Sequence, residues 1–165
     1  HLALVEQKDT HDQVAIGVSF PDYVCNLSYV RLGSKLRLFA KTEAELQQLN
    51  LSKWLDGLSD YVHITGIRAV PKNVSYAVYQ RYQPKTNAER LARRLVKRKP
   101  DIGFEEAIKH YQAKTAQSNL PFVQFESLSS EHRFKLFITK KQADEACNGN
   151  FGTYGLSAVA TVPEF

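Results

Sequence analysis

The 165-residue chain contains no methionine, only two cysteines and a single tryptophan. Cys25 and Cys147 lie far apart and match no zinc or redox spacing. They build no disulfide framework, and a reducing, cytoplasmic compartment fits them best. No apolar run approaches the roughly 20 residues that span a bilayer, so no membrane partner is expected, and no signal peptide is visible. A glycine-rich phosphate loop is missing, as is any metal-ligand spacing of His, Cys, Asp and Glu. No G-x-S-x-G elbow surrounds a serine, which argues against a hydrolase of that type. The five histidines, His1, His11, His63, His110 and His132, stand isolated in sequence, and each alone reads as structural. Internal repeats and low-complexity tracts are also missing.

What the chain does have is positive charge in one place. Its net charge is +5, from 22 Lys and Arg against 17 Asp and Glu. The excess is concentrated between residues 81 and 99. At 3.6 residues per turn, Arg90, Arg93, Arg94, Lys97 and Arg98 share one stripe of one helix. Like charges three and four apart repel, so the stripe costs stability unless a polyanion lies along it. No acidic i+4 partner occurs within Arg90–Lys99. Leu91, Leu95 and Val96 form a separate apolar stripe that can anchor the helix to its own protein. Thr86 and Glu89 have capping-box spacing, which predicts a basic helix over 87–99. A solvated basic face is the plainer alternative. Local concentration favours a phosphate backbone or an acidic partner.

The remaining pattern predicts an α+β chain. Its hydrophobic content of 43% suffices for an ordinary core. His1–Gln7 reads as the last turns of a helix whose start lies upstream. Gln13–Phe20 reads as a strand ended by Pro21, Asp22–Ser28 as a polar loop, and Leu36–Ala40 as a strand. Thr42–Asn50 reads as a helix with a Thr42/Glu45 capping box, with a further helical turn in Leu51–Leu58. Val62–Val70 reads as strand, turn and strand. One more strand before His1 would complete a βαββαβ ferredoxin-like unit. Typical element lengths then put about 20 to 30 residues upstream of the first one here. Pro71 and Asn73 mark a linker, so the expected division is a partial ferredoxin-like domain over 1–72 and a second domain over 73–165. In the second, Ser75–Gln83 is extended and leads into the basic helix. Phe104–Gln117 is a second helix. Pro121–Phe125 and Arg133–Ile138 are strands, Gly149–Gly155 is a turn-rich loop, and Leu156–Val162 is a last strand.

Several residues could carry chemistry. Arginine and glutamine make two-pronged hydrogen bonds to guanine and adenine edges, so Arg81 and Gln83 beside a cationic helix are candidate base readers. They share a face if the segment is extended. An edge strand with solvated polar groups is the alternative. Ser127, Leu128, Ser129 and Ser130 form a hydroxyl-rich turn. Phe134, between Arg133 and Lys135, is core if buried and a stacking surface for a base if exposed.

In order along the chain, these segments resemble the CRISPR repeat-processing endoribonucleases of subtype I-F. The resemblance runs through Gly17-Val18-Ser19-Phe20-Pro21-Asp22, Leu32-Gly33-Ser34-Lys35-Leu36-Arg37 and Leu120-Pro121-Phe122-Val123. It continues through Ser127-x-Ser129, Phe134-x-Leu136-Phe137-Ile138 and Tyr154-Gly155-Leu156-Ser157. The most specific match is Arg81-x-Gln83 followed by Asn87-Ala88-Glu89-Arg90-Leu91 and the basic run. The resemblance implies an enzyme that binds the repeat hairpin and cuts at the 3′ base of its stem. It then stays on the mature guide RNA, beside the backbone subunits of a surveillance complex. Arg90, Arg93, Arg94, Lys97 and Arg98 would lie along stem phosphates and the major groove, and Phe134 would stack on the terminal base pair. His1 matches the family's catalytic histidine, and Ser127 the serine that positions the reacting ribose. Ser129 and Tyr154 match positions near the scissile phosphate. No metal or cofactor is implied, because the RNA's own 2′-hydroxyl attacks. A non-catalytic hairpin-binding assembly subunit and a basic DNA-binding module are the other readings.

Overall fold

The computed structural model describes residues 1–84, 88–114, 119–127 and 132–165. In chain order the elements begin with α1 (Leu2–Glu6), β1 (Gln13–Val14), β2 (Gly17–Ser19), β3 (Val24–Cys25), β4 (Val30–Arg31) and β5 (Arg37–Phe39). Next come α2 (Glu43–Gln48), α3 (Leu51–Leu55), a 3-10 turn at Asp56–Leu58, and β6 (Ser75–Tyr82). The chain then forms α4 (Ala88–Arg98), α5 (Phe104–Lys114), β7 (Phe122–Glu126), β8 (Arg133–Ala143), β9 (Phe151–Gly152) and β10 (Val162–Glu164). The fold is mixed α+β.

Alternation along β6 and β8 builds the central sheet. Ala77 and Tyr79 on β6, and Leu136 and Ile138 on β8, are buried, while their sequence neighbours face outward. All pairings are antiparallel, and the strand order is β10-β6-β8-β7. β6 pairs with β8 over Tyr76–Tyr82 and with β10 over Ser75–Ala77, so it is flanked on both sides at Tyr76 and Ala77 and on one side, among the described strands, from Val78 to Tyr82. Three two-stranded pairs, β1-β9, β2-β5 and β3-β4, surround this sheet. One core joins them: Leu4 of α1, Val14, Ile16 and Val18 pack with Tyr79, Ile138, Leu156 and Val162. Each fully buried aliphatic side chain contributes about 1.5–3 kcal/mol.

Local sequence explains several boundaries. Thr42 accepts from the Glu45 amide, and the Glu45 carboxylate accepts from the Thr42 amide at 3.0 Å, which closes the expected capping box of α2. In α4 the apolar stripe holds: Ala92 is wholly buried, while Leu91, Leu95 and Val96 are half-buried. α4 packs on α5, whose Ala107 is wholly buried as well. The Thr86/Glu89 capping box lies outside the described residues through Thr86. The end of the predicted Phe104–Gln117 helix lies outside them too, after Lys114.

Other expectations need correction. Val62–Val70 forms no strand; its apolar side chains are exposed, and no described strand pairs with it. A β-rich segment without a ladder partner has no hydrogen bonds to hold it as a strand. Gln13–Phe20 is two short strands rather than one, because β1 pairs with β9 and β2 with β5. Part of Asp22–Ser28 enters the β3–β4 hairpin, and part of the Gly149–Gly155 loop is β9. The last strand is Val162–Glu164, not Leu156–Val162. The stretch before it is folded by turn bonds, in which the Ser157 hydroxyl accepts from the amides of Val159 (3.2 Å) and Ala160 (3.0 Å). β8 runs past Ile138 to Ala143 because β6 supplies pairing that far.

Candidate nucleic-acid interface and active site

Side chains from five separate segments meet at one end of the central sheet. His1, at the N-cap of α1, lies flat on Tyr154, with ring centroids 4.3 Å apart and planes 13° apart. Phe125 of β7 packs against both, 5.4 Å from His1 and 5.5 Å from Tyr154. Phe134 of β8 stacks on Phe125 at 6.0 Å, as their cross-strand register requires. The Arg81 guanidinium lies 6.0 Å from the Phe134 ring and 5.9 Å from the Tyr154 ring. Four of the expected residues, His1, Tyr154, Phe134 and Arg81, thus form one cluster.

The positions of these groups follow from backbone constraints. Tyr154 rides a turn in which Gly155 donates to the Gly152 carbonyl (2.7 Å) and accepts from the Val18 amide (2.9 Å). Gly155 has a φ of +71°, and a Cβ there would meet the Val18 side chain at 2.2 Å, so only glycine lets the turn sit this close to β2. The Ser157 amide donates to the Tyr79 carbonyl at 3.0 Å and ties the same segment to β6. α1 is fixed by burial of Ala3 and Leu4, which holds His1 over the turn.

Below the cluster lies a polar support within the core. The Tyr79 hydroxyl donates to Glu164 Oε1 at 2.7 Å and lies 3.0 Å from the Phe20 carbonyl oxygen. Glu164 is also ion-paired with Lys140, both being mostly buried. Burial and the Glu164 carboxylate hold the Tyr79 phenol far above its ordinary range. Tyr23 donates to the Ile138 carbonyl at 3.1 Å; burial, then the Cys25 thiol, push its phenol up to about 12. Both phenols are therefore neutral donors at neutral pH. They tie β10 and the Phe20–Tyr23 segment to β6 and β8.

The cationic stripe belongs to a different element, α4. Arg90, Arg93, Arg94, Lys97 and Arg98 are all exposed on α4, on the side away from the buried Ala92. Glu89, just ahead of the run, reaches Arg93 at 3.4 Å in an exposed i,i+4 pair. Such a pair contributes a few tenths of a kcal/mol and leaves the stripe strongly cationic. Gln83 lies just beyond the end of β6 and is exposed. Ser127 follows β7 and is half-buried, with its amide donating to the His132 carbonyl at 2.9 Å. Ser129 lies outside the described residues. Among the described residues, no group of three or more His, Cys, Asp and Glu is placed to hold a metal ion. No helix among them is long and apolar enough to cross a membrane.

Phe125 is the cluster member that residue-by-residue reading missed. Its signal was available: it alternates with Val123, and an antiparallel partner strand carrying Phe134 puts the two rings together. The Tyr79–Glu164–Lys140 group gave no sequence signal, since its members lie far apart in the chain.

The amino-acid sequence is similar to those of known proteins. A family model described as "CRISPR-associated protein (Cas_Csy4)" matches residues 1–165. A protein named CRISPR-associated endonuclease Cas6/Csy4, from Escherichia coli (strain UTI89 / UPEC), is 42% identical over 152 residues, covering 91% of this chain and 79% of the relative. A protein of the same name from Pseudomonas aeruginosa (strain UCBPP-PA14) is 40% identical over 167 residues, covering 100% of this chain and 85% of the relative. The chain belongs to the CRISPR-associated Csy4 family, whose relatives here are named endonucleases.

Proposed function

We propose that the protein is a metal-independent endoribonuclease of CRISPR repeat transcripts. It binds the repeat hairpin and cuts at the 3′ base of the stem. The observation that carries this reading is the packed cluster of His1, Tyr154, Phe134 and Arg81, one short chain segment from the exposed cations of α4.

An A-form major groove is deep and narrow and normally excludes side chains. A short hairpin opens the groove at its ends, which lets the cationic face of α4 enter. Arg93, Arg94, Lys97 and Arg98, with Arg90 at the start of the stripe, take the stem phosphates. Arg81 and Gln83 read bases low in the stem. Phe134 stacks on the last base pair and sets the register of the cut. The reacting ribose then lies over His1. A neutral imidazole within hydrogen-bond reach can accept the 2′-hydroxyl proton. The 2′ oxygen bonds to phosphorus, the bond to the 5′ oxygen breaks, and that oxygen leaves with a proton. The products are a 2′,3′-cyclic phosphate and a 5′-hydroxyl. Tyr154 keeps the imidazole plane fixed by stacking, Ser127 holds the ribose for in-line attack, and Ser129 acts at the scissile phosphate.

Many phosphate contacts and the stacked ring survive the cut, so the product is retained. The bound guide RNA then places the protein beside the backbone subunits of a type I-F surveillance complex. In the same reading, residues 1–72 are a partial ferredoxin-like lobe and 73–165 an RNA-recognition lobe that shares its core.

A repeat hairpin with a 2′-deoxyribose immediately 5′ of the scissile phosphate tests this chemistry. It is expected to bind like the all-ribose hairpin and to remain uncut, also with chelator present in both reactions. Cleavage of the deoxy substrate would refute 2′-hydroxyl attack. Binding of both RNAs with cleavage of neither would leave a hairpin-binding assembly subunit.

A further inference from the structure

The two faces of the central sheet differ sharply. One carries Tyr79, Leu136 and Ile138 into the core. On the other, register aligns three aromatic residues in one row across three strands: Tyr82 of β6 opposite Phe137 of β8, and Phe137 opposite Phe122 of β7. The Phe122 and Phe137 rings are 5.5 Å apart. Tyr82 is 44% exposed and Phe122 43%. Lys135 holds its ammonium 4.4 Å from the Phe122 ring centroid. Along β8 the same face carries exposed Lys135 two residues before Phe137, exposed Arg133 four residues before it, and exposed Lys141 four residues after it.

We propose that this row is a stacking platform for the unpaired RNA strand that adjoins the hairpin. The inference rests on the hairpin-binding reading above. Flat rings half-open to solvent, with Lys135 over one of them and further cations along the same strand, match successive bases and their phosphates. Charge complementarity favours RNA over a protein partner: Glu126 is the single acid on this face of β6, β7 and β8 among the described residues. The buried centre of a protein–protein interface is instead depleted in lysine. The path is continuous as well. Arg81 and Tyr82 are successive strand residues, so they face opposite sides of β6. A strand leaving the stem base beside Arg81 rounds the end of β6 and arrives on Tyr82. The platform thereby adds affinity for unpaired nucleotides without reading their sequence.

The test compares three RNAs on the full chain carrying His1→Ala, so that none is cut: the minimal hairpin, and the hairpin extended by six uridines on its 5′ or its 3′ side. One extension is expected to tighten binding about fivefold to tenfold, in line with partial stacking of one or two bases. Phe122→Ala with Tyr82→Ala is expected to erase that gain and leave affinity for the minimal hairpin within twofold. The retained hairpin affinity also reports that the variant is folded. Lys135→Glu, a change without loss of a ring, is expected to remove most of the gain. An extension that adds nothing to the parent protein overturns the platform, and so does a gain that survives loss of both rings. Failure of the parent to bind the minimal hairpin would instead overturn the hairpin reading itself.

Discussion

The α4 face and the His1 cluster are both polar and both turned toward the same proposed RNA, yet they are built in opposite ways. On α4 the cations are exposed on a helix held by a narrow apolar stripe against α5. Around His1, every ring touches another, and the turn that carries Tyr154 is bonded to β2 and β6. Charges that neutralise phosphates act over several ångströms and tolerate motion. Proton transfer requires a base within hydrogen-bond reach of one particular hydroxyl. The molecule therefore spends its packing where geometry decides the outcome, and leaves its charge where proximity is enough.

The sharpest way to separate the two regions is His1→Ala. It is expected to lower the single-turnover cleavage rate by about 10²–10⁴, the usual contribution of a positioned general base, with hairpin affinity within about twofold. A matching loss of affinity would make His1 a structural member of the cluster. Stability should divide along the same line. Ile138→Ala, beneath the site, is expected to cost about 2–5 kcal/mol in denaturant unfolding. Arg94→Ala is expected to change it by less than about 0.5 kcal/mol. Equal losses would mean that α4 is integral to the core. The smallest effect concerns alkaline pH. Tyr23 has a phenol raised from its ordinary value near 10 to about 12 in the folded chain, and Tyr79 shifts the same way. The neutral phenols stabilise the fold fully below pH 10, and that contribution is lost as pH rises from 10 toward 12 and beyond. Tyr23→Phe should flatten unfolding stability across that window; an unchanged profile would show that the phenol is solvated.

How much of this could be read in advance also differs between the regions. α4 was legible because one helix carries both of its stripes, and a 3.6-residue period shows in ten residues of chain. The α2 capping box was legible for the same local reason. The His1 cluster was not legible from spacing alone, because its members are brought together by cross-strand register and a left-handed glycine turn. The resemblance named His1, Tyr154, Phe134 and Arg81, but nothing along the chain said that Phe125 would lie among them. Val62–Val70 shows the converse error. Its β-rich composition is real, but a strand is specified by its partner as much as by itself, and the described residues offer none.

The division between a binding rod and a cutting cluster is tested most directly by the salt dependence of hairpin affinity. In the His1→Ala protein, Arg94, Lys97 and Arg98 are replaced by alanine one after another, and log Kd is followed against log salt concentration. The slope is expected to flatten by about 0.7–0.9 per phosphate contact removed. A slope that stays unchanged through all three replacements would show that the RNA lies on another surface, and would contradict the account.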